Sequence, residues 1–384
     1  MNYQYYLPTD ILFGLGVLNQ LHKKQLPGHH ALVVTTSGRS VKHLGYLDRL
    51  CRELALGGAE YTLYDKVCPN PTRVNVMDGA ALARQAGCDF LVALGGGSAI
   101  DAAKAIAVMT VNSGDCWDYV RDGSGKGLPL QNKPLPLIAI PTTAGTGSEA
   151  DAGCVISYPE RNEKVSFGTP WSFPTISVVD PELMRSVPPK LTAYQGFDAL
   201  FHVVECYLSR AATPLSDLIC LDAARRVTSY LPRAVAQGED MEARTEMAWA
   251  STEAGMCLTH SSLTAQHSLE HSLSGFYPEL THGAGLILIS RAYLGHCARQ
   301  EAYRERMKAL ALALGAEPSP QGVLDALEKL MDDCGVADLK MSQFGIAWES
   351  LGAVAEKSLD RRYANERAPL SWKEAQKILE QSYA

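Results

Sequence analysis

One run constrains this chain more than any other. FLVAL at 90–94 passes directly into Gly95-Gly96-Gly97-Ser98 and then into an alanine-rich helical pattern that begins near Ala99. Five consecutive apolar residues that run into a glycine-rich turn read as a strand buried on both faces. Its neighbours repeat the theme. ALVVTT (31–36) reads as a buried strand, Val41 to about Leu56 as an amphipathic helix, EYTLYDKV (60–67) as a strand, and about Val74 to Ala86 as a helix. LPLIAIPTT (135–143) and TISVVDP (175–181) continue the strands. Strand and helix in alternation predict an α/β fold with a parallel sheet and right-handed crossovers.

After Pro188 and Pro189 the texture changes. Strand-like runs give way to helical patterns in LTAYQGFDALFHVVECYL, EARTEMAWASTEAGMCL, AYRERMKALALALG and GVLDALEKLMDDCG, and a final helix opens with Ser371 and Glu374 at capping-box spacing. We therefore expect two domains, an α/β unit over 1–187 and an all-α unit over 188–384, which suits a chain of 384 residues. A hydrophobic content of 46% with 20% charged residues fits a soluble globular enzyme. The net charge of −7 and the lack of any Lys/Arg run argue against nucleic acid as a partner. Ten cysteines without a CxxC pair suggest small buried hydrophobes in a reducing compartment. With no secretory signal pattern and no membrane span in view, a cytoplasmic location is expected.

The Gly95–Ser98 turn stands between a strand and a helix, where glycines admit close backbone approach and a helix N-terminus offers free N–H groups to a diphosphate. Gly96, Gly97 and Ser98 are thus candidates for a dinucleotide site. Thr142, Thr143, Ala144, Gly145, Thr146, Gly147 and Ser148 form a second donor-rich loop after the next strand. Two such loops at neighbouring strand ends favour one shared site over two coincidental turns. After the first strong strand stand Ser37, Gly38, Arg39 and Ser40, with no carboxylate to meet a ribose 2′-OH. A guanidinium among hydroxyls favours NADP(H) over NAD(H).

A different chemistry gathers in AQHSLEHSLSGFYPELTHGAG, at 265–285, which places His267, His271 and His282 within one short stretch. Upstream, Asp198 and His202 are four apart, on one face if that segment is helical. A carboxylate and several imidazoles compose a borderline donor set suited to iron(II) or zinc. A catalytic site keeps one position open, so five candidates are one too many. His260 lies off the stride and reads as structural.

These blocks resemble the iron-containing (group III) alcohol dehydrogenases. FGLG at 13–16, PNPT at 69–72, GGGSAIDAAKAIA at 95–107, PTTAGTGSE at 141–149, VDPEL at 179–183, GFDALFH at 196–202, the H-x3-H and THG blocks at 267–283, and ANERAPLSWKEAQKIL near the end follow the family order. The resemblance implies an active site in a cleft between the two domains. It implies metal ligation by Asp198, His202, His267 and His282, and places His271 beside the nicotinamide as a candidate proton relay. It also adds Asp101 to the cofactor loop. The implied reaction is hydride transfer between a small primary alcohol and its aldehyde, run as an aldehyde reductase, by a homodimer or larger homo-oligomer. Two features depart from the family pattern: a loop one residue longer between His271 and His282 than in some members, and Thr36 where NAD-preferring members often carry Asp. A sugar-phosphate cyclase of the dehydroquinate synthase type is the competing reading; it needs a cationic cluster near the metal, and none is evident in the helical half. A scaffold that merely retains the fold has no need of both ligands and cofactor loops.

Overall fold

The computed structural model describes residues 2–383. Its strands are β1 (Asp10–Phe13), β2 (His30–Thr36), β3 (Glu60–Val67), β4 (Phe90–Gly95), β5 (Leu137–Pro141), β6 (Gly153–Tyr158), β7 (Glu163–Gly168) and β8 (Ile176–Val179). Six of them form one parallel sheet in the order β1-β8-β5-β4-β2-β3, and β6 and β7 pair antiparallel as a separate hairpin. The helices of the α/β half are α1 (Ser40–His43), α2 (Tyr46–Leu56), α3 (Arg73–Ala86), α4 (Gly97–Val111) and the single turn α5 (Cys116–Tyr119).

Alternation decides which side chain faces which layer. Leu32, Val34, Leu91 and Ala93 pack with Ala103 and Ile106 of α4 on one face. Ala31, Val33, Phe90, Val92 and Leu94 pack with Leu50 and Leu54 of α2 on the other. The expected single helix from Val41 to Leu56 is two, because Gly45 between α1 and α2 adopts φ 71 and breaks the chain direction. Helix α4 begins at Gly97, two residues before Ala99, with Gly96 as its extended N-cap.

The second half is helical: α6 (Pro189–Leu208), α7 (Pro214–Ala236), α8 (Met241–Ser261), α9 (Ala265–Phe276), α10 (His282–Ala298), α11 (Arg304–Ala313), α12 (Pro320–Asp333), α13 (Leu351–Lys357) and α14 (Trp372–Gln381). They enclose their own core around Phe197, Phe201 and Tyr293. Ser371 and Glu374 form the capping box that starts α14. All ten cysteines are free, and no helix among the described residues is long and apolar enough to cross a membrane.

The halves meet tightly at one seam. Gly147, at φ 63, lies so close to α8 that a Cβ would fall 2.3 Å from Gly255 N, and a Cβ on Gly255 would fall 1.9 Å from Gly147 O. Glycine on both sides is therefore what lets the second donor-rich loop dock on the helical half.

Candidate active site

From β2 the chain steps outward to β3, then crosses back to place β4 on the other side of β2. That reversal opens a crevice beyond the carboxyl ends of β2 and β4, where open α/β sheets bind ligands. The Ser37–Ser40 segment and the Gly95–Ser98 turn flank it. Thr142 N–H donates to Gly95 O at 2.9 Å and ties the second loop to the first. A Cβ on Gly96 would come within 2.9 Å of Thr143 Oγ1, and one on Gly97 within 2.5 Å of Thr146 Cγ2. The two loops thus form a backbone-lined cradle at the start of α4, which fits a diphosphate.

A cleft of about 400 Å³ runs from this cradle to the helical half. Gly97, Ser98, Asp101 and Thr146 line it together with His202, His267, His271 and His282. Ser37, Gly38, Arg39, Ser40, Gly96, Thr142 and Thr143 do not line it. Asp101 faces the cleft, but its carboxylate is spoken for: it accepts from the Ser148 hydroxyl and from Val155 N–H at 2.8 Å. Burial pushes its pKa up to about 6 against the pull of Lys104.

On α6, Asp198 and His202 lie one turn apart and are 4% and 6% exposed. On α9, His267 and His271 repeat the spacing, and His282 is the first residue of α10. Three helices converge, so that the donor atoms of Asp198, His267 and His282 lie within 4.8 Å of one another. His267 Nε2 and His282 Nε2 stand 3.6 and 3.5 Å from Asp198 Oδ1, and the His202 ring centroid is 4.3 Å from that of His267.

In each of these three imidazoles Nδ1 already has a partner. His202 Nδ1 donates to Asp198 O at 2.8 Å, His267 Nδ1 to Glu205 Oε1, and His282 Nδ1 to Glu270 Oε2. Such bonds set tautomer and ring orientation and leave Nε2 free. His267 Nε2 and Asp198 Oδ1 are both buried and without a hydrogen-bond partner, although they face one another. Orphaned polar atoms of this kind are rare in proteins, and here they bracket a position suited to a cation. The electrostatics agree. Burial alone raises the Asp198 pKa, yet His202 and His282 hold it well below the ordinary carboxylate range. Burial opposes charge on His267, yet Glu205 and Asp198 lift it to about 9: these carboxylates attract a proton to this position, and a metal ion bound there would take its place. The donors are one ionised carboxylate and imidazole nitrogens, so the residues fit iron(II) or zinc.

His271 differs from the other three. Its Nδ1 lies 3.3 Å from Arg362 Nη1, and burial, reinforced by that guanidinium, holds it well below the ordinary histidine range. His260 stacks on Tyr5 with centroids 4.0 Å apart, outside the cleft.

Sequence reasoning missed Glu205 and Glu270, which orient His267 and His282. Each follows a candidate histidine on its own helix at i+3, and that spacing was the available signal. It also missed the β6–β7 hairpin, whose Lys164 reaches the site with Nζ 3.3 Å from Glu270 Oε2. The expectation that the helical half shows no cationic cluster near the metal position is corrected: its Arg361 and Arg362 line the cleft together with Lys164 of β7. Lys164 comes from a strand of the other half and the adjacent arginines from a short turn near the C-terminus, and only the fold brings them to one cleft.

Residues 8–181 match the iron-containing alcohol dehydrogenase family, and residues 192–383 match the C-terminal domain of the same family. Alcohol dehydrogenase 4 of Schizosaccharomyces pombe is 37% identical over 330 residues, 85% of this chain and 76% of that protein. The NAD-dependent methanol dehydrogenase of Bacillus methanolicus is 36% identical over 282 residues, 73% of this chain and 72% of that one. An archaeal halo-thermophilic alcohol dehydrogenase from a Red Sea brine pool superposes with a TM-score of 0.93 at 34% identity, covering 100% of this chain and 99% of its own. The chain belongs to the iron-containing alcohol dehydrogenase family and is an oxidoreductase acting on alcohols.

Proposed function

We propose that this protein interconverts a small primary alcohol and its aldehyde, working as an aldehyde reductase, with Asp198, His202, His267 and His282 as metal ligands. The observation that carries the reading is the convergence of His267 Nε2 and His282 Nε2 on Asp198 Oδ1 while Glu205 and Glu270 occupy their Nδ1 atoms, with the His202 ring packed against that of His267. Bound in the cleft, iron(II) or zinc supplies Lewis acidity toward the substrate oxygen, and the nicotinamide dinucleotide carries the hydride. The start of α4, with Gly96, Gly97 and Ser98, binds the diphosphate through backbone N–H groups, and Thr142, Thr143 and Thr146 wall the cradle. Ser37, Gly38, Arg39 and Ser40 sit at the end of β2 without a carboxylate, which supports NADP(H).

His271 holds a proton at the reacting end. Arg362 donates to its Nδ1, so the neutral ring carries its hydrogen on Nε2, from which it can hydrogen-bond the substrate oxygen or a water that brings the proton to it. Both halves of the chain match the iron-containing alcohol dehydrogenases, which favours the dehydrogenase reading over a sugar-phosphate cyclase.

The test is anaerobic turnover of short aldehydes by iron-loaded protein with NADH and with NADPH. Net oxidation of the nicotinamide is expected, faster with NADPH; lack of turnover with every aldehyde overturns the reading. In the same assay His271→Ala should lose about 10²-fold in kcat while keeping its metal. Full turnover by that variant removes the proton-relay role.

A further inference from the structure

Arg362 belongs to a 3₁₀ turn, Arg361–Asn365, and its contact with His271 engages only part of its guanidinium. Its side chain is 11% exposed and lines the cleft beside His271. Nη1 donates to Asp360 Oδ2 at 2.8 Å and lies 3.3 Å from His271 Nδ1, which uses both of its hydrogens. Asp360 is itself fixed, since its Oδ1 accepts from Ser268 Oγ and from Arg362 N–H, each at 2.8 Å. The guanidinium is therefore held in one orientation.

A guanidinium carries five N–H donors, and two are spent. Among the described residues, Nε and Nη2 have no hydrogen-bond partner, and neither is sealed from solvent. Those two nitrogens form the edge of the fork that receives a carboxylate or similar oxyanion in bidentate fashion. The other deep cation at this end, Lys164, is engaged by Glu270 at 3.3 Å and by His282 at 3.4 Å. Arg361 stands at the rim, 56% exposed and 3.5 Å from Asp122 Oδ2. Only Arg362 combines burial, fixed orientation and unspent donors, one imidazole ring away from the ligand cluster.

We propose that Arg362 is a specificity-determining residue, and that the cleft takes short-chain aldehydes and alcohols whose far end carries a carboxylate, sulfonate or phosphonate. This rests on the aldehyde–alcohol reading above and deepens it: the carbonyl lies beside the four ligands and the oxyanion on the open edge of Arg362.

The experiment compares kcat/KM of iron-loaded wild-type protein for succinic semialdehyde, sulfoacetaldehyde, phosphonoacetaldehyde and butanal. At least one anionic aldehyde should exceed butanal by about 10-fold or more, and the leading one identifies the oxyanion. In Arg362→Gln that ratio should fall by about 10-fold or more, with partial recovery in Arg362→Lys, which keeps the charge but not the fork. Any loss shared by charged and neutral aldehydes is assigned to the setting of His271 and does not enter the ratio. Calorimetric titration with ethanesulfonate and with propanoate gives a readout separate from turnover, and Arg362→Gln should weaken the tighter of the two by about 10-fold.

Butanal used as well as all three anionic aldehydes, or a ratio unmoved in Arg362→Gln, overturns the proposal while leaving the reductase reading intact. Anion binding that depends on Arg362, in a protein that turns over no aldehyde, sustains the subsite and overturns the reductase reading instead. Should Arg362→Gln fail to fold, the wild-type ratios decide alone.

Discussion

Under the proposed function, the two walls of the cleft recognise their ligands by opposite means. The α/β wall uses main chain: Gly96 and Gly97 have no side chain to spare, and a Cβ on either would run into Thr143 or Thr146. The helical wall uses side chains, each held by another: Glu205 behind His267, Glu270 behind His282, Asp360 behind Arg362. Main-chain recognition depends on conformation and close approach, and tolerates varied neighbours. Side-chain ligation depends on one atom in one tautomer, and so recruits a supporting layer. Substitutions in the two walls should therefore fail differently.

The largest effect is expected from Asp198→Ala. It removes the only carboxylate among the four proposed ligands, and leaves His202, His267 and His282 without the anion they surround. We expect no bound iron or zinc by elemental analysis and activity reduced by about 10³-fold or more, with dinucleotide binding intact by fluorescence titration. Retained metal would break the contrast between the walls at its strongest point.

Next comes a pH effect at the seam between them. Glu149 follows the second glycine-rich loop, is 2% exposed, and accepts from Thr252 Oγ1 of α8 at 2.8 Å. Burial pushes its pKa up to about 7 from 4.5, despite that hydroxyl. An acid whose pKa is raised on folding binds more protons folded than unfolded, so stability falls as pH rises from 4.5 to 7 and is level above. The full loss is on the order of 3 kcal/mol. Glu149→Gln keeps the acceptor and removes the titration. Its melting temperature, relative to wild type, should climb as pH is raised from 5 to 8; a pH-independent difference removes the seam from the account.

Much of both walls was legible in the chain, for different physical reasons. Strand β4 and the glycines after it are a local pattern, so the parallel sheet and the cradle followed from residues adjacent in sequence. The helical spacing of Asp198 with His202 and of His267 with His271 was equally local. What sequence did not disclose is three-dimensional. Lys164 arrives on a hairpin and Arg362 on a turn 91 residues after His271, and neither carries a periodic signal. Gly45 also concealed the break between α1 and α2, because an amphipathic pattern continues across a left-handed residue.

A smaller loss is expected from Glu205→Gln. Glu205 Oε1 accepts from His267 Nδ1, and Oε2 accepts from Thr264 N–H and Oγ1 at 3.1 and 2.9 Å. An amide offers one acceptor oxygen where the carboxylate offers two, so either His267 or Thr264 then faces an NH₂ group. Metal affinity should drop by about 10-fold to 100-fold, the range for supporting partners of ligating histidines. Competition against a chelator measures it, and an unchanged affinity means the His267 tautomer is set by something other than Glu205.

The smallest effect is expected from Gly97→Ala, on the opposite wall. The new Cβ would lie 2.5 Å from Thr146 Cγ2 and 2.9 Å from its Oγ1. Gly97 opens α4, whose free N–H groups are the donors proposed for the diphosphate. Thr146 is a side chain and can rotate, so the helix survives while the cradle shifts by a few tenths of an ångström. The KM for dinucleotide should rise by about 10-fold, some 1.4 kcal/mol of binding, with metal content unchanged. Loss of metal together with weakened dinucleotide binding would mean that the walls are mechanically coupled through the Gly147–Gly255 contact. An isolated rise in KM instead assigns each wall its own ligand.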